Sequence, residues 1–97
     1  MTEMRRSMGQ VLTEQKPKVR NLNPKSGDAG DEVTLAGENL DRVREVLFGG
    51  EPAPKPFIRQ TKNEIVCLAP DHSSGPADVV AIDRDGNESN ALTFIYN

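Results

Sequence analysis

Residues 33–53 read VTLAGENLDRVREVLFGGEPA, and the spacing of their apolar side chains decides the fold. Val33 and Leu35 flank Thr34, Gly37-Glu38-Asn39 ends the run, and Val46 and Phe48 then share one face with Leu47 on the other. An apolar group at every second residue marks a strand buried on one side, whereas a helix repeats every three to four. The pattern continues outward in both directions. Upstream, Val19 and Leu22 alternate in a run closed by Asn23-Pro24, and NPKSGDAGD (23–31) has the composition of a loop. Downstream, the three prolines of EPAPKP (51–56) suit an edge or a connection, and Phe57-Ile58 begins a short edge strand. EIVCLAP (64–70) sets Ile65, Cys67 and Ala69 against Val66 and Leu68. PADVVAID (76–83) runs into Asp85-Gly86-Asn87, a hairpin signal, and ALTFIY (91–96) puts Leu92, Phe94 and Tyr96 on one face. About seven short strands with turns at this spacing predict an all-β, antiparallel β-sandwich over residues 17–97. Its core is expected to rest on Val33, Leu35, Val46, Phe48, Ile65, Val79, Leu92 and Phe94.

Composition limits what such a sandwich can do. The chain has 97 residues, 35% hydrophobic and 28% charged, with three Phe, one Tyr and no Trp. A domain of this size buries roughly 60–65% of its unfolded surface, which leaves little room for a deep substrate cavity. The single cysteine, Cys67, excludes an internal disulfide and a multi-cysteine zinc site. No apolar run approaches the roughly 20 residues of a membrane span, so membrane insertion is not expected. The opening MTEMRRSMGQVLTEQK lacks the apolar segment of a secretory signal, and the expectation is cytoplasmic synthesis.

The net charge of −3 conceals two regions of opposite sign. Residues 1–25 hold six basic and two acidic groups, a balance of +4, and residues 26–97 hold six basic and thirteen acidic groups, a balance of −7. Residues 1–16, which hold Arg5, Arg6 and Lys16 against Glu3 and Glu14, read as a basic arm on an acidic body, either a solvated tail or an arm docked on an acidic surface such as a second copy. Met4, Met8, Val11 and Leu12 recur at spacings of three and four, with Arg5 and Arg6 between them. As a helix this stripe needs a partner groove, because so short a helix is marginal in water. Met4, Arg5, Arg6, Met8, Val11 and Leu12 are therefore the candidate partner-binding residues of the arm.

From Pro17 onward the order of signals resembles the IPT/TIG family of immunoglobulin-like domains. The residues that carry the resemblance are Asn23-Pro24, Ser26-Gly27, Gly30, Val33-Thr34-Leu35-Ala36-Gly37-Glu38-Asn39-Leu40, Val46-Leu47-Phe48-Gly49-Gly50-Glu51-Pro52-Ala53, Ile65 with Pro70, Gly75, and Phe94-Ile95-Tyr96. The resemblance implies an Ig-like sandwich that binds or spaces and does not catalyse. Such domains occur in cell-surface receptors, bacterial surface proteins, carbohydrate-active enzymes, phage structural proteins and Rel-type transcription factors. The family register implies that Ala77, Val79 and Ala81 point inward. Val80 and Ile82 then face out, with Leu47 and Ile95 outward on the flanking strands, as a candidate partner-binding patch. A slip of one residue would exchange the faces and bury Asp78 instead.

Other candidates for chemistry have plainer readings. Asp71-His72-Ser73 is a polar loop whose adjacent residues cannot converge on one reacting atom, so no catalytic residue is expected. Cys67 reads as a buried, inert thiol. Asp83-Arg84-Asp85-Gly86-Asn87-Glu88 offers oxygens in part of a calcium-loop pattern but lacks the closing bidentate Glu, and reads as a hairpin; no metal or cofactor is expected. Asn87-Glu88-Ser89 matches the glycosylation triplet, taken as chance in the absence of a signal sequence. The acidic body argues against nucleic acid. The sequence therefore predicts a non-enzymatic binding or assembly module whose partner is protein, a second copy or a scaffold or capsid subunit, as in a virion decoration or tail protein. The alternative is an adhesion or glycan-binding accessory domain of a secreted bacterial protein, although glycan sites want aromatic platforms and the few aromatics here sit mostly at core positions.

Overall fold

The computed structural model describes residues 16–97. In chain order the strands are β1 (Lys18–Asn23), β2 (Ser26–Gly27), β3 (Glu32–Glu38), β4 (Val43–Phe48), β5 (Glu51–Pro52), β6 (Arg59–Gln60), β7 (Glu64–Leu68), β8 (Gly75–Asp83) and β9 (Leu92–Tyr96). A single 3-10 turn, Leu40–Arg42, links β3 to β4. Two sheets result, one in the order β1-β3-β7-β6 and the other β2-β9-β8-β4-β5. The pairings are antiparallel with one correction to the expected pattern: β2 runs parallel to β9, with Ser26 opposite Ile95.

Alternation places the core where period two requires it. Val33, Leu35, Val46, Phe48, Ile65, Cys67, Ala69, Ala77, Val79, Ala81, Phe94 and Tyr96 are all buried between the sheets. Leu92 is only partly buried and packs against that core. Phe48, Phe94 and Tyr96 meet edge to face, with the Phe48 and Phe94 ring centroids 5.6 Å apart, a favoured aromatic geometry.

Val19 and Leu22 are both buried although they stand three positions apart, which strict alternation would place on opposite faces. The register shift between Val19 and Asn21 reconciles this, because the bulge inserts one residue and resets the face. Gly37 is required there, since a Cβ would stand 1.8 Å from the Lys18 carbonyl oxygen. The outer edge of β1 is closed by one side chain. Asn90 Oδ1 accepts from the Val19 N–H (3.0 Å) and its Nδ2 donates to the Val19 carbonyl (2.8 Å). Phe57 and Ile58, expected to start a strand, precede it instead, and pairing begins at Arg59 opposite Val66.

The turn after β8 reverses the chain as its composition predicts, but only one bridge, Ile82 with Glu88, forms before β9 begins at Leu92. Asp83 holds this turn together. Its carboxylate is buried and accepts from the N–H groups of Asp85 and Asn87, both at 2.9 Å, and from Asn87 Nδ2 at 3.2 Å.

Candidate functional site

Cross-strand register lays out the solvent face of the five-stranded sheet in four rows. Glu45, Ile82 and Glu88 form one, and Pro52, Leu47 and Val80 the next. Asp78 with Thr93 follows, and then Pro76, Ile95 and Ser26. Asp78 is exposed and Val79 is buried, so the strand has not slipped. Leu47 and Val80 face each other directly, with Ile82 two residues along β8, and all three are half-buried. Ile95 does not join them. It is 43% exposed and pairs with Pro76, four residues or about 13 Å along β8 from Val80, with Asp78 and Thr93 between. The expected four-residue patch is therefore a three-residue cluster and a separate isoleucine.

Beside the cluster lies an open groove of about 490 Å³, walled by Leu47, Val80, Pro76, Asp78 and Glu88 with Gly49 and Gly50 at one end. Gly49 adopts φ 58° and donates its N–H to the Asp78 carbonyl; a Cβ there would also strike the His72 ring at 2.4 Å. Glu45 is paired with Lys55 at 3.7 Å. The arm residues Met4, Arg5, Arg6, Met8, Val11 and Leu12 lie outside the described residues.

The remaining candidates are structural. His72, expected in a solvated loop, is half-buried and stacks on Tyr96 with ring centroids 4.9 Å apart, its Nδ1 2.8 Å from the Ser73 carbonyl. Tyr96 donates its hydroxyl to the Pro70 carbonyl at 2.7 Å; burial, with Asp71 nearby, pushes its pKa up to about 12. Burial likewise pushes the Cys67 thiol up to about 12, which leaves it unreactive. At Asp83 burial works to raise the pKa, but the hydrogen bonds from Asn87 and Asp85 and the nearby Arg42 outweigh it, and the net shift is downward. A carboxylate with three hydrogen bonds from its own turn acts as a cap on that turn. Among the described residues no group of three or more His, Cys, Asp or Glu is arranged to hold a metal ion. The sequence reading missed Asp83 and Asn90 as structural groups; the Asp-x-Asp-Gly-Asn spacing signals the first, and nothing local signals the second.

Residues 17–96 match the profile of the IPT/TIG domain. The chain belongs to that family. Rat (Rattus norvegicus) Plexin-A3 is 30% identical to it over 88 residues, a match that takes in 82% of this chain and 4% of that protein. Among solved structures, the gamma-CGTase of Alkalophilic bacillus clarkii superposes with a TM-score of 0.76 at 23% identity, over 84% of this chain and 12% of the enzyme. SGBP-B of the Bacteroides ovatus mixed-linkage glucan utilization locus, solved with a mixed-linkage heptasaccharide, gives 0.65 at 23% identity, over 75% of this chain and 21% of the other. The IPT/TIG domain thus spans a small share of each of these proteins, and at such identities the structural likeness is one of fold. Left-handed Asn39, at φ 58°, occupies the turn of the family's Gly-x-Asn signal and donates its Nδ2 to the Lys16 carbonyl at 3.1 Å.

Proposed function

We propose that this IPT/TIG domain is a non-catalytic binding module that joins a larger protein assembly through the outer face of its five-stranded sheet. The observation that carries the reading is the uninterrupted apolar row Pro52–Leu47–Val80, continued by Ile82 and bordered by a groove. The test is a photo-cross-linking residue at position 80 or, as control, at position 66 on the opposite sheet, in the cells from which the protein comes. A discrete adduct is expected from position 80, lost with Leu47→Lys and absent from position 66. Equal labelling from both positions would refute it.

A second reading, a glycan-binding accessory domain, is favoured by the saccharide-bound SGBP-B structure among the fold neighbours. Against it, Phe48, Phe94 and Tyr96 are buried and Phe57 is partly so, which leaves no fully exposed ring among the described residues. Calorimetric titration with a mixed-linkage heptasaccharide separates the two, and no heat of binding is expected.

A further inference from the structure

We propose that the groove beside Val80 is covered by this chain's own residues 1–15. The inference rests on the reading that this face contacts protein, and it names the segment best placed to reach it first. The described chain begins next to the groove. Lys16 and Pro17 line a depression that they share with Glu88, and Glu88 also walls the groove at Leu47 and Val80. The Lys16 carbonyl is held there by Asn39 Nδ2 at 3.1 Å. From Glu88, opposite Ile82, to Pro76 the groove is about 20 Å long, and fifteen residues can span up to about 50 Å.

The chemistries match as well. The groove offers an apolar floor between two exposed carboxylates, Asp78 and Glu88, and neither has an ion pair among the described residues. Residues 1–15 set Arg5-Arg6 between Met4 and Met8, with Val11 and Leu12 following and their own carboxylates, Glu3 and Glu14, toward the two ends. A guanidinium fork suits a carboxylate, and methionine adapts to an irregular apolar floor. Tethering adds the decisive advantage. A segment joined to its site by so few residues acts at an effective concentration in the millimolar range, so weak contacts suffice to hold it there until a tighter-binding partner displaces it.

Because the Cys67 thiol is buried, Met8→Cys creates one reactive thiol in the full-length chain, and a nitroxide attached there reports where the segment lies. In the 15N-labelled protein the amides of Leu47, Val80 and Glu88 are expected to lose more than half their intensity while those of Thr34 and Val66 keep theirs. The loss should be unchanged on tenfold dilution and should disappear with Val80→Lys or with Arg5→Glu plus Arg6→Glu. Uniform broadening, or none, would overturn the proposal. So would broadening that appears only when nitroxide-tagged chains are mixed with untagged 15N chains, since the occupant would then be a second copy. A face left bare by this test that still gives the Leu47→Lys-sensitive adduct refutes the cap and keeps the binding reading. A capped face that yields no adduct, even with Arg5→Glu plus Arg6→Glu, does the reverse.

Discussion

On the four-stranded sheet Val66 stands between Thr34 and Arg59, and Leu68 faces Glu32; on the five-stranded sheet Leu47 stands between Val80 and Pro52. The first face breaks up its apolar groups with polar partners and carries two cross-strand ion pairs, Arg20 with Glu38 and Arg59 with Glu64 at 3.4 Å. The Arg20 guanidinium beside Glu38 holds that carboxyl below its ordinary value. The second face aligns its apolar groups and leaves Asp78 and Glu88 without an ion pair among the described residues. Both faces cover one core, so packing does not account for the difference. What separates them is that the second face sets Leu47, Val80 and Pro52 side by side, next to two carboxylates without an ion pair among the described residues, and that is the physical argument for placing the partner there.

The comparison breaks most completely at the core. Phe48→Ala should cost about 3–5 kcal/mol and remove both faces together, read as thermal unfolding monitored by circular dichroism. A melting temperature within a degree or two of the parent would show that Phe48 does not join the sheets. Gly37→Ala strikes the four-stranded sheet alone, where the new Cβ meets the Lys18 carbonyl, and should cost about 1–3 kcal/mol in urea unfolding. If the cross-link at position 80 survives in the folded fraction, the two faces are independent.

Asp83→Asn is the counterpart on the five-stranded side. Loss of the charged acceptor for two backbone N–H groups should cost about 1–3 kcal/mol at pH 7. Because the folded pKa lies below the ordinary 3.8, this stabilisation is complete above that value and fades as pH falls through it. The gap between parent and variant, measured by urea unfolding from pH 7 to pH 2.5, should therefore narrow below pH 4; a constant gap would mean that the charge is not what stabilises the turn. The smallest effects on stability sharpen the comparison most. Val80→Lys and Val66→Lys should each shift stability by no more than about 0.5 kcal/mol, and only Val80→Lys should abolish binding.

Much of this was legible in the sequence, and the limits have a common cause. Alternation separates the two sides of each strand, Val46 and Phe48 from Leu47 and Ile65 and Cys67 from Val66, and the family register adds which side is inward, with Val79 in and Leu47, Val80 and Ile82 out. It carries no information about register between strands, so the separation of Ile95 from Val80 by the Asp78–Thr93 row could not be read. Alternation also fails where the backbone departs from it. The bulge in β1 puts Val19 and Leu22 on one face, and the 3-10 turn buries Leu40 just before β4 buries Val43. A carboxylate such as Asp83 reads as solvated until the turn wraps its own N–H groups around it.

The Asn90 amide on Val19 has a consequence beyond the fold. An uncovered strand at the margin of a sheet is a template on which any passing chain can add a strand, and identical domains crowded together offer such templates to each other. Here the N–H and the carbonyl of Val19, the second residue of β1, are already occupied by a side chain from the β8–β9 connection. An edge occupied in this way is a poorer template for a further strand, and a single asparagine thereby works against edge-to-edge association.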